Sequence, residues 1–421
     1  MADMTCLAEG LTAPADFGLT GLNLNEIVVG PTGCGKSFSN AYSRLVHTTQ
    51  SSVVVPIAKK AIREKFSDMF ADRGYQVVNL DFAHPEQCNV GYDPLDYVKK
   101  PEEVIQLARN LVGMEQSRGR TGEADPYWNQ SATSVLAAEI MLVKMVKAEK
   151  HEKPSFADVV EFHRSIIFDL DKNLLKTNVD ELFDRAQKLY PGNQASELWK
   201  TVKGLAPRTA SCIFSIVNGA MDKIFSENIL KLTRKPNRIS LRDLGKKKIA
   251  LFITTSPVNR TLQNFVNILY ADMIKELFEL AEKSEDCKLD VPVHIICDDF
   301  ACTSKIEGFE DYISIFRAAG IGVTLLLQSE SQLIGMYGEA AATTIINNCD
   351  TYVYMGGMDI TTCKNISQRL DKPLRAVMEM PLEQVVVFRR GSKPYVAKRY
   401  QILDDPVYQE VMAEKNLRDT R

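Results

Sequence analysis

The sequence has few of the residues that build disulfide frameworks and metal centres. Its nine cysteines are scattered without a C-x-x-C pair, and its five histidines lie far apart along the chain. An odd number of cysteines, several of them inside apolar runs, is typical of reduced thiols in a cytosol. The spacing of these residues therefore argues against a disulfide-stabilised secreted domain and indicates no metal site.

Long apolar runs and a strong charge bias are absent as well. No apolar run reaches the roughly 18 residues of a membrane-spanning helix, and the N-terminal MADMTCLAEG has neither the basic flank nor the apolar core of a signal peptide. A net charge of −3 creates no global field that attracts nucleic acid. Such contact would need the local basic loops at 234–238, 246–248 and 389–390, although loops of this kind are more often solvated turns.

The clearest signal that is present is a glycine-rich segment between an apolar run and a helix. Residues 30–37, GPTGCGKS, follow Ile27-Val28-Val29 and match G-x-x-x-x-G-K-[ST] with both outer glycines in place. Glycines let the chain curl so that successive backbone N–H groups face phosphate oxygens, and the following helix points its positive end at the same place. The segment therefore predicts a phosphate-binding loop.

The residue types in this loop predict distinct roles and two cofactors, ATP and Mg²⁺. Lys36 would reach the outer phosphates, and the Ser37 hydroxyl would be a ligand to Mg²⁺. The other loop residues would cradle the phosphates through the backbone. These cofactor-binding candidates are Gly30, Thr32, Gly33, Cys34 and Gly35.

The order of strand-like and helical stretches indicates a nucleotide-binding domain that is split in sequence. Among the 421 residues, 45% apolar and 25% charged, we expect two or three globular domains. Near-continuous Val, Ile and Leu runs predict a parallel sheet covered on both faces, and helical periodicity dominates in between. We predict an α/β fold with the nucleotide-binding domain at 1–100 and 236–421, and an all-α domain inserted at 101–235.

An acidic pair follows one of the later predicted strands. The apolar run from Val293 ends in Asp298 and Asp299, which would lie beside the loop at the carboxyl edge of a parallel sheet. Asp298 would then hold Mg²⁺, directly or through water, and Asp299 would orient or deprotonate the attacking water. A strand that simply ends in an acidic turn is the alternative.

Two more polar residues flank the next predicted strand. Gln328 follows it and would sense the γ-phosphate or place the water, with a turn or the neighbour of a helix cap as the alternative. Arg317 lies at a predicted helix end just before the strand, where arginine often only stabilises the negative end of the helix. On the residues alone, an arginine finger is the less favoured role for Arg317.

Several segments together resemble a known family. In addition to the loop and the acidic strand, they are 89–95 NVGYDPL, 125–132 DPYWNQSA, 316–321 FRAAGI and 327–333 LQSESQL. In order and spacing, over roughly residues 25–375, the chain resembles the TraG-like coupling proteins of type IV secretion and conjugation. The resemblance implies a RecA-like P-loop ATPase domain that carries an all-helical insert.

The resemblance also implies a function and partners. Coupling proteins form hexameric rings, bind ATP between subunits, move DNA and deliver relaxase–DNA to the secretion channel. By this resemblance Gln328 matches the sensor, and Arg317 matches the arginine that reaches a neighbour's nucleotide. The implied chain is an ATP-hydrolysing coupling protein whose partners are single- or double-stranded DNA, relaxase or effector proteins, and channel components at the inner membrane.

This sequence departs from the family pattern at three places. The family usually has Asp-Glu where this chain has Asp298-Asp299, and aspartate is shorter by one carbon–carbon bond, roughly 1.5 Å. Slower water activation or a shifted geometry would follow. Cys34 replaces a usual serine, which we expect to be a mild change. Family members usually begin with a membrane anchor, and this sequence shows no such segment. We therefore expect a cytoplasmic chain that is either cut after its anchor or naturally anchorless. It would be tethered at the membrane through the missing anchor or through a partner.

Two other functions stay open on the sequence. One is an FtsK- or HerA-like DNA translocase, against which the size and motifs of the helical insert argue. The other is a nucleotide-gated recruitment platform that binds ATP but hydrolyses little of it. The Asp299 substitution and the acidic pI of about 6.1 favour this platform.

Overall fold

The structure is a computed structural model, and the contacts within it divide the chain into two compact units. The first unit is Met1–Ala83 with Ser240–Arg421, and the second is His84–Ile239. Both predicted domain boundaries, 101 and 235, lie inside the second unit. The structure describes residues 2–57, 61–113, 126–169, 175–255, 260–298, 300, 305–306 and 308–419.

Strands and helices alternate along much of the chain. The strands are β1 (Met4–Ala8), β2 (Leu11–Pro14), β3 (Glu26–Val29), β4 (Ser52–Ile57), β5 (Gln76–Asp81), β6 (Phe168–Asp169), β7 (Lys176–Thr177), β8 (Ile249–Thr254), β9 (Val293–Cys297), β10 (Ile321–Leu327), β11 (Thr351–Tyr354), β12 (Gln384–Arg389) and β13 (Tyr395–Lys398). The helices are α1 (Phe17–Thr20), α2 (Ser43–Val46), α3 (Ala61–Asp72), α4 (Pro101–Gly113), α5 (Pro126–Glu149), α6 (Phe156–Arg164), α7 (Asp180–Leu189), α8 (Gln194–Lys203), α9 (Pro207–Ile224), α10 (Glu227–Thr233), α11 (Arg260–Ala281), α12 (Phe309–Ala319), α13 (Glu330–Tyr337), α14 (Glu339–Asn347), α15 (Ile360–Leu370), α16 (Leu374–Met378) and α17 (Pro406–Asp419). Across the described ranges, no helix combines the length and the apolar character that crossing a membrane requires.

The first unit is built on a nine-stranded sheet in the order β13-β12-β11-β3-β10-β9-β4-β8-β5. Neighbours from β11 to β5 run parallel, whereas β12 and β13 extend the sheet antiparallel. Strands β8 and β10 are buried at every residue, as expected for strands that are covered on both faces. The α/β class predicted from the apolar runs is confirmed.

The strand order decides which loops meet. Strand β10 lies between β3 and β9, with Leu327 paired to Val29 and Leu325 paired to Cys297. Because these strands are parallel, the segments that follow them emerge at the same edge of the sheet. The segments are the glycine-rich loop, the segment that begins at Gln328, and the acidic segment that begins at Asp298.

The described part of the second unit is mainly helical. Its longest helix, α5, buries a continuous series of side chains, including the ionisable Glu139. The exception is a two-residue antiparallel ribbon, β6 with β7. This unit is therefore not entirely helical, whereas an all-α domain was predicted. Two-residue strands are too short to show the alternation by which strands are recognised in a sequence.

The C-terminal helix α17 packs on the first unit. Tyr408 and Val411 are buried in the same apolar cluster as Tyr42 and Phe66, and the Lys65 ammonium donates a hydrogen bond to the Tyr408 hydroxyl at 2.9 Å. The C-terminal segment is therefore a helix with one face in the core of the sheet-containing unit.

Candidate nucleotide-binding site

The glycines of the phosphate loop are required by its backbone shape and its close neighbours. Gly33 and Gly35 have φ values of 83° and 90°, a conformation that side chains disfavour. A Cβ on Gly35 would also lie 2.7 Å from the Arg399 guanidinium, and a Cβ on Gly30 would lie 2.9 Å from the Met355 side chain. The loop is therefore closely enclosed as well as curled.

The structure brings Lys36, Ser37 and Asp298 together at this loop. The Ser37 hydroxyl donates to the carboxylate of Asp298, with both oxygens 2.9 Å from Oγ. The Lys36 ammonium is buried and donates to the carbonyl oxygens of Gly30 at 2.6 Å and Pro31 at 3.0 Å. Positive charge, loop N–H groups and hard oxygen ligands thus lie within one short stretch of surface.

These groups line a cavity of about 370 Å³. Five of the loop residues named from the sequence and Asp298 form its polar side, and four other side chains complete it. The lining residues are Thr32, Gly33, Gly35, Lys36, Ser37, Phe38, Tyr42, Ala61, Ile62 and Asp298.

Oxygen ligands at this cavity fit Mg²⁺. The ion prefers hard oxygens and commonly takes one or two from the protein, with the rest from water and substrate phosphates. Ser37 Oγ and the Asp298 carboxylate already converge within hydrogen-bond distance, so a shared ion requires only a small separation of the two groups. The predicted ligand pair is therefore chemically consistent with the site.

An aromatic wall beside the loop was missed by the sequence reasoning. The segment Ser37–Tyr42 is π-helical, and its wider turn brings residues five apart, here Ser37 and Tyr42, to nearly the same face. The rings of Phe38 and Tyr42 lie 4.8 Å apart, and the Lys65 ammonium lies 5.1 Å from the Tyr42 ring. Burial and the Asp298 carboxylate both raise the pKa of Tyr42, so its hydroxyl stays protonated and able to donate. A helix assumed to be regular α from the sequence would point Tyr42 elsewhere.

A second missed residue is Arg399, which follows β13. Its guanidinium donates to the carbonyl oxygen of Cys34 in the loop, from 365 positions away in sequence. The backbone N–H of Arg399 donates to the Glu383 carbonyl oxygen at 2.7 Å, which fixes the backbone where the arginine leaves the sheet. No local motif marks such a residue, because only the folded sheet brings the two segments together.

The other predicted catalytic residues occupy different places. Gln328 is half-buried directly after β10, and its N–H donates to the Gln332 side chain at 3.2 Å. Asp299 lies outside the described residues. Arg317 is in the last turn of α12 and stacks on the Phe17 ring, 3.8 Å from its centroid.

Arg317 lies at the opposite edge of the sheet from the loop of its own chain. It precedes β10, whereas the loop lies beside the end of that strand. Seven residues of β10 at a rise of 3.2–3.4 Å each span roughly 20 Å. Arg317 is therefore too far away to contact phosphates held by its own loop.

The fold and the loop define a P-loop nucleotide-binding protein. The family model for type IV secretory system conjugative DNA transfer matches residues 10–373, and the chain belongs to that family. The resemblance stated from the motifs is thereby confirmed.

The relatives among known proteins agree with this assignment. The proteins VirD4 of Rhizobium radiobacter and of Rhizobium rhizogenes are each 20% identical to the chain, over 353 and 352 residues. Both alignments cover 82% of this chain but only 48% and 49% of the relatives. The chain thus spans about half the length of the curated relatives it matches.

Solved structures show the same fold. The bacterial conjugative coupling protein TrwBdeltaN70, in its unbound monoclinic form, is 19% identical with a TM-score of 0.64, over 93% of this chain and 87% of that one. TrwB in complex with ADP and Mg²⁺ is 19% identical with a TM-score of 0.60, over 90% and 85%. VirB4 of Thermoanaerobacter pseudethanolicus is 12% identical with a TM-score of 0.57, over 97% and 98%. The predicted RecA-like nucleotide-binding fold is confirmed.

Proposed function

We propose that this chain is the ATP-hydrolysing part of a coupling protein that passes DNA or protein substrates to a type IV secretion channel. The observation that carries the proposal is the convergence of Lys36, Ser37 and Asp298 on one cavity at the end of the parallel strands. Family membership supports the transfer role. The TrwB complexes with an ATP analogue and with ADP and Mg²⁺ support the choice of ligands.

Nucleotide binding would use the loop as follows. Backbone N–H groups between Gly30 and Ser37 hold phosphate oxygens, and the following helix adds its positive end. Lys36 exchanges the carbonyl oxygens of Gly30 and Pro31 for the outer phosphates, so its buried charge keeps partners throughout. Ser37 and Asp298 would hold Mg²⁺, which neutralises negative charge on the phosphates.

Hydrolysis would depend on positioning one water in line with the γ-phosphate. Asp299, next to the proposed metal ligand Asp298, would orient that water and accept its proton. Gln328 follows β10, between the strands that carry the loop and the acidic pair, and would contact the γ-phosphate or the water. These two roles depend on residue type and strand order.

Arg317 would act on the nucleotide of a neighbouring subunit. Its own loop is on the far edge of the sheet, so a second copy must supply the phosphates that it contacts. An arginine finger of this kind stabilises the charge that develops during phosphoryl transfer. The proposal therefore includes a ring, for which we take the homo-hexamer of the family, tethered on the cytoplasmic side of the membrane.

The DNA partner is proposed from family membership and not from the basic loops found in the sequence. The Arg238 side chain is buried and donates to Asp96 at 2.9 Å, and Lys247 pairs with Asp243 at 2.8 Å. Arg390 pairs with Asp350 at 3.1 Å. Each of the three loops thus contains or borders charges that are paired within the chain, and none carries the proposal.

A nucleotide-gated recruitment platform is the second candidate. The observation that favours it is Asp299 in place of the usual Glu, because the shorter side chain holds the water less well. Such a platform would bind ATP with the same loop but turn over little of it. The two functions differ in rate and not in ligand.

Steady-state ATP hydrolysis by the chain tests this proposal, with and without single- and double-stranded DNA, over a range of protein concentrations. Lys36→Ala supplies the blank. We expect turnover that rises steeply with concentration and increases with DNA. Tight ATP binding without turnover under every condition, together with a rise in rate in Asp299→Glu, would establish the platform instead.

A further inference from the structure

A cysteine, a histidine and an aspartate from three segments that are distant in sequence meet at the C-terminal end of α2, the helix that follows the phosphate loop. Among the described residues, the potential ligand atoms of Cys6, His47 and Asp405 all lie within 4.8 Å of one another. Cys6 is on β1, His47 directly follows α2, and Asp405 directly precedes α17. No sequence motif indicates this cluster, because His47 and Asp405 are 358 positions apart.

The aspartate is held in one orientation by its surroundings. Its Oδ1 accepts the N–H groups of Val407 at 2.8 Å and Tyr408 at 3.3 Å, at the start of α17. Its Oδ2 is thereby directed at His47 Nε2, 2.6 Å away, and accepts the Tyr400 hydroxyl at 2.6 Å. Ligands that are oriented by such outer hydrogen bonds are typical of protein metal sites.

The geometry requires only small movements to accept an ion. Tetrahedral zinc with bonds of 2.0–2.3 Å separates its ligand atoms by roughly 3.3–3.6 Å. The His47–Asp405 distance of 2.6 Å would widen, and the other pairs, within 4.8 Å, would close by at most about 1.2 Å. Shifts of this size need side-chain rotation and no rearrangement of the strands.

The ligand set selects among metals. Mg²⁺ and Ca²⁺ prefer oxygen ligands, whereas a thiolate with an imidazole and a carboxylate suits zinc. The Cys6 and Asp405 side chains are buried, and the His47 side chain is 21% exposed. His47 is thus the ligand through which an ion from solvent would first reach the cluster.

We propose that Cys6, His47 and Asp405 form a zinc site, with the Tyr400 hydroxyl or a water as the fourth ligand. The ion would join β1, the end of the phosphate-loop helix and the start of α17. Because Tyr400 follows Arg399, the same ion would steady the segment that lays Arg399 on the loop. The zinc site does not include the residues of the proposed ATP chemistry, and the proposal does not depend on that chemistry.

Metal titration of the full chain tests the proposal. The protein is stripped with a chelator, then titrated with Zn²⁺ against a chromophoric competitor, and with Co²⁺ to observe the thiolate-to-metal charge-transfer band. We expect one tightly bound ion per chain and a clear thiolate band. In Cys6→Ser the band disappears, and the affinity for Zn²⁺ falls at least about 100-fold.

Matched controls separate this site from adventitious thiols. Cys212 and Cys287 are exposed, so Cys212→Ser and Cys287→Ser should bind Zn²⁺ as the wild type does. His47→Gln supplies a second test if Cys6→Ser does not fold, because His47 is the least buried of the three ligands. The proposal would be overturned if the wild type does not bind Zn²⁺ tightly, or if Cys6→Ser and His47→Gln bind Zn²⁺ as tightly as the wild type. The cluster would then be a set of hydrogen bonds that joins the three segments.

Discussion

Arg399 brings a positive charge from the C-terminal segment onto the phosphate loop. Its guanidinium donates to the Cys34 carbonyl oxygen and lies 2.7 Å from the position that a Cβ on Gly35 would take. A hydrogen bond from a charged donor stabilises by roughly 1.5–3 kcal/mol. Arg399 therefore supports the curled loop and adds to the positive field that phosphates would meet.

Replacement of Arg399 should weaken nucleotide binding. In Arg399→Ala the loop loses a charged donor to Cys34, and we expect the Kd for ATP to rise about tenfold, which corresponds to roughly 1.4 kcal/mol. Titration with a fluorescent ATP analogue measures the change. Arg390→Ala is the matched control, since Arg390 is an exposed arginine that pairs with Asp350. An unchanged Kd in Arg399→Ala would contradict a supporting role.

A buried carboxyl in the second unit should make its stability depend on pH. Asp93 accepts the N–H groups of Leu95 at 2.9 Å and Phe156 at 2.8 Å. Burial raises the pKa of Asp93 from 3.8 to about 7, although the nearby Arg238 opposes the rise. Between these two pKa values, the Asp93 carboxyl keeps its proton in the folded chain and has released it in the unfolded chain.

The sign of the effect follows from this proton. Between about pH 4 and about pH 7 the stability of the wild type should fall relative to Asp93→Asn, by at most about 1.4 kcal/mol per pH unit, and then level off. Urea unfolding followed by the fluorescence of the buried Trp199 measures it. Asp184→Asn, at an exposed position on α7, should show no such trend. A constant difference between wild type and Asp93→Asn would contradict the raised pKa.

At the scale of elements, the packing of α5 against α6 contains a buried contact between a carboxyl and an imidazole. Glu139 on α5 and His163 on α6 have side chains 0% and 1% exposed, with Nδ1 2.9 Å from Oε2. Burial raises the pKa of Glu139, and His163 opposes the rise. In the sequence, Glu139 is seen only as a charged residue within an apolar run. Its partner cannot be recognised there, because His163 is 24 positions away.

Removal of one member of this pair should destabilise the second unit. Glu139→Ala leaves the buried His163 ring without its hydrogen-bond partner, and we expect a loss of roughly 1–3 kcal/mol in unfolding free energy. Glu139→Gln keeps an acceptor oxygen and should lose clearly less. Urea unfolding with tryptophan fluorescence compares the two variants. Equal losses in both would show that the charge, and not the hydrogen bond, is what the helices require.

The elements that the sequence predicted are those whose signals are local. The loop is one contiguous motif, and β9 and β10 are apolar runs long enough to identify, so Ser37 and Asp298 could both be predicted at the carboxyl edge of a parallel sheet. The ribbon of β6 and β7 is too short to be recognised. Tyr42, Arg399 and the Cys6 cluster were missed because a π-helical turn and contacts across hundreds of residues leave no local pattern.

At the scale of the whole molecule, the position of Arg317 distinguishes a nucleotide site that one chain completes alone from a site that two subunits share. Its distance from its own loop means that a lone chain would lack this cation at its nucleotide. If Arg317 acts in trans, each complete site needs the loop of one subunit and the arginine of the next. Loss of either residue would then inactivate a uniform ring, whereas a mixture of the two variants would restore some sites.

Mixing therefore tests whether the site is shared. Arg317→Ala and Lys36→Ala should each hydrolyse almost no ATP, and Arg317→Ala should still bind it. Random mixing in equal amounts should restore roughly a quarter of the wild-type rate, because one interface in four then joins an intact loop to an intact arginine. Steady-state hydrolysis measures the rate, with a mixture of Lys36→Ala and the doubly substituted chain as the inactive control. If mixed rings form and stay inactive, Arg317 does not complete the site of a neighbouring subunit. If Arg317→Ala alone is fully active, Arg317 is only a helix-end residue and the site is completed without it.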